Sequence, residues 1–220
     1  MPVGIKSFIN QRLVQARTVR GLNAVDLADI ANISTASISL YEKGTQKPQI
    51  EVLERISKAL EMPIDFFFNE SLTLKPKQLF YRSMSSATKK SRKKVEANYT
   101  LVLEIVDYLM EFFDFPDFSL PELDVPLDFR ALTSNQIESI ASNLRSHWNL
   151  GTGPISSVTR TLESNGIIVW RTAMEAETLD AFSEFRLPHP IVALSSDKDN
   201  YFRSRFDGMH ELGHLVLHRN

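Results

Sequence analysis

His210-Glu211-Leu212-Gly213-His214 decides how this chain is read. The stretch has the form H-E-x-x-H. On a helix, positions i and i+4 share a face, so both imidazoles reach toward one metal ion. Glu211 stands beside His210 and suits a general base that polarises a metal-bound water for hydrolysis. A random chain with 5 His and 15 Glu in 220 residues would show the pattern roughly 0.008 times. The plainer alternative is a helix whose histidines form only a solvated face or core packing. Leu212, Leu215 and Val216 give the helix an apolar side, and Gly213 is expected to let another element approach closely.

A catalytic zinc takes three protein ligands and an open position. Two are visible here. His218 lies eight residues after His210, about 12 Å along a continuous helix and too far to share the metal. Leu215-Val216-Leu217 offers no glycine turn that would bring it back. We therefore expect the third ligand to lie outside these residues and read the chain as part of a longer protein. The expectation for these 220 residues alone is zinc held weakly or not at all, and no peptide hydrolysis.

Composition bounds the remaining possibilities. At 220 residues and 43% hydrophobic, the chain can build one or two packed cores. Zero cysteines exclude a disulfide framework and a thiolate zinc site, and suit a reducing cytoplasm. The start, Met1-Pro2-Val3-Gly4-Ile5-Lys6, lacks the apolar core of a signal peptide. No apolar run approaches the length of about 18 residues that a membrane span needs, so no membrane role is expected. The net charge of −2 hides an asymmetry: residues 1–94 carry 16 Lys/Arg against 8 Asp/Glu, and residues 95–220 carry 9 against 19. Such a division suggests a basic module suited to a polyanion, followed by an acidic one.

The basic part reads as short, well-punctuated helices. Ile5 to Arg20 is periodic and Gly21 stops it. Asn23 caps a second helix, with Asp26 at its third position. Asn32-Ile33-Ser34 turns into a third, Thr35 to Lys43, capped by Ser34 and ended by Gly44. A fourth runs from about Ile50 to Leu60, and Pro63 to Phe68 closes the bundle. Two short helices on a tight turn, braced by three more, form a helix-turn-helix. The stretch resembles the XRE family, of the lambdoid repressor and Cro type. It does so through Leu22-Asn23-x-x-Asp26-Leu27-Ala28, Ser37-Ile38-Ser39-x-Tyr41-Glu42-Lys43-Gly44 and Leu53-x-x-Ile56-Ser57-Lys58-Ala59-Leu60. The resemblance implies that the third helix enters the major groove of double-stranded DNA and presents Thr35, Ala36, Ser37, Ser39 and Leu40. Ala24, Ala36 and Leu40 stand where better-known repressors often hold Gln, Arg or Asn, so base readout is expected to be modest. Lys43, Lys47, Arg12 and Arg17 are the expected phosphate contacts. The alternative role is an interaction or dimerisation module.

Beyond it, residues 71–94 mix Ser, Thr and Lys and hold the run Lys89-Lys90-Ser91-Arg92-Lys93-Lys94, which is usually a solvated face but could open a helix or extend a nucleic-acid footprint. A helix is expected from Val95 to about Phe113, and an extended connector at Pro116, Pro121 and Pro126. Thr133 with Gln136 reads as a capping box for a helix ending near Trp148. Another helix spans Ile155 to Ser164. Three short strands follow, Ile167–Trp170, Asp180–Ser183 and Ile191–Leu194, before the His210 helix, which should begin near Asn200. This part resembles the ImmA/IrrE family of metallopeptidases. The resemblance is carried by Phe80-Tyr81-Arg82-Ser83, Leu162-Glu163-Ser164-x-Gly166-Ile167, Asp180-Ala181-Phe182-Ser183, Pro190-Ile191-Val192 and Arg205-Phe206-x-x-x-His210-Glu211-Leu212-Gly213-His214-Leu215. It implies zinc on His210, His214 and a downstream glutamate, with Glu211 as base, and a repressor of the XRE type as substrate.

The expected fold is therefore α+β and mostly α. A five-helix, lambda-repressor-like domain over 1–70 and a basic linker over 71–94 precede a minimal zincin-like domain over 95–220, with a small sheet and the H-E-x-x-H helix. The expected protein is a cytoplasmic regulator that binds DNA as a homodimer and cuts a repressor-like protein or itself. The rival is a non-enzymatic repressor or antitoxin whose second domain senses a ligand or partner. The strand Asp180–Ser183 is the candidate edge for pairing with an extended peptide.

Overall fold

Asn23 determines where the second helix begins. Its side-chain oxygen accepts from the N–H groups of Val25 and Asp26, and the Asp26 carboxylate accepts from the Asn23 N–H. This capping box starts Ala24–Ala31 (α2). Ser34 accepts from the Ser37 N–H and starts Thr35–Glu42 (α3). Between them Asn32 takes a left-handed φ of 53°, which asparagine tolerates better than most side chains. The structure, a computed structural model, describes residues 4–70, 88–123, 125–126, 129–175, 179–197 and 200–217.

Asn10–Val19 (α1), Ile50–Leu60 (α4) and a 3₁₀ segment, Ile64–Phe68, complete the expected five-helix bundle. Leu13, Ala16, Leu27, Ile38, Leu53, Ile56, Leu60 and Phe67 meet in one buried core. The first helix begins five residues later than its apolar period suggests. The Ile5 and Ile9 N–H groups donate instead to the carbonyls of Pro48 and Phe67, which holds that stretch across the bundle.

Lys89–Leu109 (α5) opens with the basic run and continues along the expected apolar stripe. Its buried Val95, Tyr99, Leu103 and Val106 belong to the first compact unit, which includes Thr88–Leu109, while the second unit takes the described residues from Met110 onward. The boundary expected between 94 and 95 therefore moves to Leu109. An apolar stripe requires burial but does not name its partner, and α1 is that partner. Arg12 locks the arrangement. Only 4% exposed, it donates to the carbonyls of Asn69 and Glu70 and to the Glu104 carboxylate at 2.5 Å.

In the second unit, Thr133 and Gln136 form the expected capping box for Ser134–His147 (α6). Val158–Ser164 (α7) starts three residues later than expected because Ser157 is its cap. Three strands follow, Ile168–Thr172 (β1), Ala181–Glu184 (β2) and Ile191–Ser195 (β3). The sheet order is β1-β3-β2. β3 runs parallel to β1, with Trp170 opposite Ala193, and antiparallel to β2, with Phe182 opposite Ala193. Tyr201–Leu217 (α8) lies on β2, β3 and α7. Leu162, Ile167, Val192, Leu194, Leu212, Leu215 and Val216 share its core.

Gly213 does not have the role expected of it, since a Cβ there would meet nothing within 4 Å. The close approach belongs to Gly208, where a Cβ would come 3.0 Å from Val158 Cγ1 of α7. No described helix is long and apolar enough to cross a membrane. The expected Phe80-Tyr81-Arg82-Ser83 signature and His218 lie outside the described residues.

Gly166 ends α7 with φ +78°, and a Cβ on it would lie 2.6 Å from Phe118 Cα. Gly166→Ala should destabilise the second unit by about 2 kcal/mol or more, combining a left-handed alanine with a backbone collision. Trp148 and Trp170, the only two tryptophans, both report on this unit. Urea unfolding followed by their fluorescence measures the shift, and an unchanged midpoint would refute the argument.

Candidate metal centre and nucleic-acid face

One turn of α8 separates His210 from His214, and their Nε2 atoms lie 3.1 Å apart with the rings edge-on at 88°. Two imidazole nitrogens on a tetrahedral zinc at 2.0–2.1 Å stand about 3.3 Å from each other. The pair therefore fits that ion closely, without rearrangement of the helix. Phe206, four residues before His210, stacks on its ring at 6.0 Å and 20° and restricts its plane. His210 is exposed and His214 half-buried, so the paired nitrogens remain reachable.

Glu211 is the buried member of the cluster. It is 5% exposed, and its carboxylate accepts from the Ser183 hydroxyl of β2 at 2.7 Å. Burial pushes its pKa above the usual carboxylate value; Ser183 and His210 oppose that rise, and Asp207 adds to it. A raised pKa makes the carboxylate a better proton acceptor near neutrality. Donor atoms of His210, Glu211 and His214 all lie within 4.8 Å of one another, and no further His, Cys, Asp or Glu joins them among the described residues. β2 sits at the edge of the sheet beside this helix. An apolar groove lined by Ile137, Leu144, Trp148, Met209, Leu212 and Gly213 runs along the opposite side, between α6 and α8.

His210, Glu211 and His214, the residues the motif predicts, lie together in the structure. Ser183 as the partner of Glu211 has no signal in the sequence. The contact spans 28 residues, so no local spacing announces it. Phe206 belongs to the motif that carries the resemblance, and its i,i+4 spacing to His210 is the signal for the stacking seen here.

On α3, Thr35 and Ala36 are exposed, and Ser37, Ser39 and Leu40 are half-buried. The Ser37 hydroxyl is shared with Ser34 Oγ at 2.8 Å. Lys43 and Lys47 are exposed, although the Lys47 ammonium donates to the Lys6 carbonyl. Two expected phosphate contacts are corrected. Arg12 is buried in the network that joins α1 to α5. Arg17 donates to both carboxylate oxygens of Glu42, one at 2.9 Å, and to the Leu22 carbonyl at 2.8 Å. Both guanidiniums brace the fold.

Known proteins resemble the two units separately. Residues 13–67 match the family model described as helix-turn-helix, and residues 162–220 match the one described as IrrE N-terminal-like domain. An uncharacterized HTH-type transcriptional regulator of Rickettsia prowazekii is 33% identical over 64 residues, 29% of this chain and 49% of that protein. An uncharacterized transcriptional regulator in the ATPase CF(0) region of Rhodospirillum rubrum is 35% identical over 66 residues, 30% of this chain and 61% of that protein. One of Sinorhizobium medicae is 31% identical over 70 residues, covering 32% and 50%. The matched region spans about half to three-fifths of the length of these relatives. The chain thus joins an XRE-type helix-turn-helix domain to an ImmA/IrrE-like domain of the M78 peptidase family.

Proposed function

We propose that this chain is a cytoplasmic, DNA-binding transcriptional regulator whose second domain is a zinc-dependent endopeptidase acting on a repressor-like protein or on the chain itself. The observation that carries the enzymatic part is the pairing of His210 and His214 Nε2 at 3.1 Å beside a buried Glu211 held by Ser183. His210 and His214 would hold the zinc, which when bound supplies a water of lowered pKa and a Lewis acid for a peptide carbonyl. Two imidazoles furnish half of a tetrahedral shell, so zinc on these alone is held weakly. Glu211 takes the proton from the attacking water and passes it to the departing amine. Ser183 orients that carboxylate. β2, at the edge of the sheet, is the strand along which an extended substrate would lie.

For DNA, α3 enters the major groove with Thr35, Ala36, Ser37, Ser39 and Leu40 toward the bases, and Lys43 and Lys47 contact phosphates. Hydroxyl and methyl groups discriminate bases modestly, so phosphate contacts supply most of the affinity. Regulation by cleavage would couple the two domains, because the proposed substrate class has the same fold as the first domain.

Glu211→Gln should keep the fold and the two imidazoles but slow cleavage of a purified XRE-type repressor, or of the chain itself, by at least about 100-fold. The test uses the full protein with zinc added. Equal cleavage by both proteins would remove the peptidase reading and favour a sensing role.

Ser183→Ala should slow the same cleavage by roughly 10-fold while leaving zinc content unchanged, since it frees the base without touching the imidazoles. Loss of zinc in this variant would count against the assigned role.

As a homodimer on a two-fold site, the regulator should protect two half-sites about 10 bp apart. Footprinting that shows one isolated half-site at saturation would overturn the dimer.

A further inference from the structure

The basic run at the start of α5 has no part in the function described so far. Lys89, Lys90, Arg92, Lys93 and Lys94 place five cations within six residues, with no acid in the first turn. This is an unfavourable place for them. The positive end of the helix dipole repels cations, and Lys89/Lys93 and Lys90/Lys94 are like-charged pairs at i,i+4. The helix terminus carries a side-chain cap, since Thr88 Oγ1 accepts from the Ser91 N–H. What the segment offers to solvent is therefore its ammonium groups: Lys89, Lys90 and Lys93 are exposed, while Arg92 and Lys94 are half-buried.

The position of the run matters more than its charge. α5 belongs to the first unit and lies along α1. Asn98 Nδ2 donates to the Val19 carbonyl at 3.4 Å, and the Arg12–Glu104 pair fixes the helix further along. At the basic end, a Cβ on Gly21 would lie 3.2 Å from Lys94 Cδ, so the Lys94 side chain crosses the chain just before α2. Asn23, the cap of α2, is two residues further on. In a helix-turn-helix, this first helix crosses the DNA backbone while the second enters the groove. Lys89 lies about 7.5 Å beyond Lys94 along the helix axis, enough to pass one or two further phosphates.

We propose that Lys89, Lys90 and Lys93 form a phosphate-binding arm on α5 that lies along the duplex backbone beside α2 and extends the footprint of the helix-turn-helix. The partner is double-stranded DNA, selected by charge complementarity and by continuity with the proposed α2–α3 face. This rests on the DNA-binding reading above. Contacts of this kind carry no base preference; they raise affinity for all sequences and steepen its dependence on salt.

The test measures binding of the whole 220-residue chain to a fluorescent mixed-sequence duplex of about 30 bp over a range of salt concentrations. The triple variant Lys89→Gln/Lys90→Gln/Lys93→Gln should lower the slope of log affinity against log salt by about 2 to 3, since each lost phosphate contact removes about 0.9. The triple lysine-to-arginine variant should keep the wild-type slope. All three sites are exposed, and circular dichroism checks that the fold survives. A triple glutamine variant with the wild-type slope would overturn the arm and leave the helix-turn-helix reading standing. A wild-type chain that does not bind the duplex would overturn both. Vesicles of phosphatidylserine and phosphatidylcholine provide the rival surface: lysine-dependent binding to them, with duplex binding unchanged, would also overturn the proposal.

Discussion

A buried carboxylate controls the second domain. Taking Glu211 out of water is costly unless a donor reaches it, and the Ser183 hydroxyl of the sheet is that donor, at 2.7 Å. The same contact seats α8 on β2. With Glu211, Leu212, Leu215 and Val216 turned inward, the helical period leaves His210 toward solvent and His214 half-covered one turn later. Packing and chemistry are thus one constraint: the face that must be buried determines the face that can hold a metal.

The first domain follows a comparable rule with the opposite charge. Arg12 is nearly inaccessible, and a guanidinium in that position has to have its donors satisfied. The carbonyls of Asn69 and Glu70 and the Glu104 carboxylate do this from two separate segments. Arg17 ties the end of α3 to the turn before α2 through Glu42 and Leu22. Arg17 therefore helps set the geometry of the α2–α3 face, while Arg12 braces α1 against α5.

Local signals were legible in the sequence and distant ones were not. Asn23, Ser34 and Thr133 each act within three residues, and each caps the helix expected of it. The pairing of His210 and His214 needs only the helical period. Arg12 and Arg17 were misassigned because their carboxylate partners lie 92 and 25 residues away. Without those partners in view, an arginine in a basic module reads as a phosphate contact. The close approach expected at Gly213 falls at Gly208 for a related reason, since it depends on α7 rather than on α8 itself. The apolar stripe of α5 was visible in the sequence, but not the identity of the surface that buries it.

The membership of α5 in the first unit changes what a minimal DNA-binding fragment is. A fragment ending near residue 70 contains the whole helix-turn-helix motif, yet it would expose the surface beneath Tyr99 and Leu103 and leave Arg12 without Glu104. Cutting after Leu109 preserves the brace. A proteolytic nick directly after Leu109 would accordingly leave the first unit with its support intact, whereas one near Phe118, Leu120 or Leu123 would cut residues that pack on the core of the second.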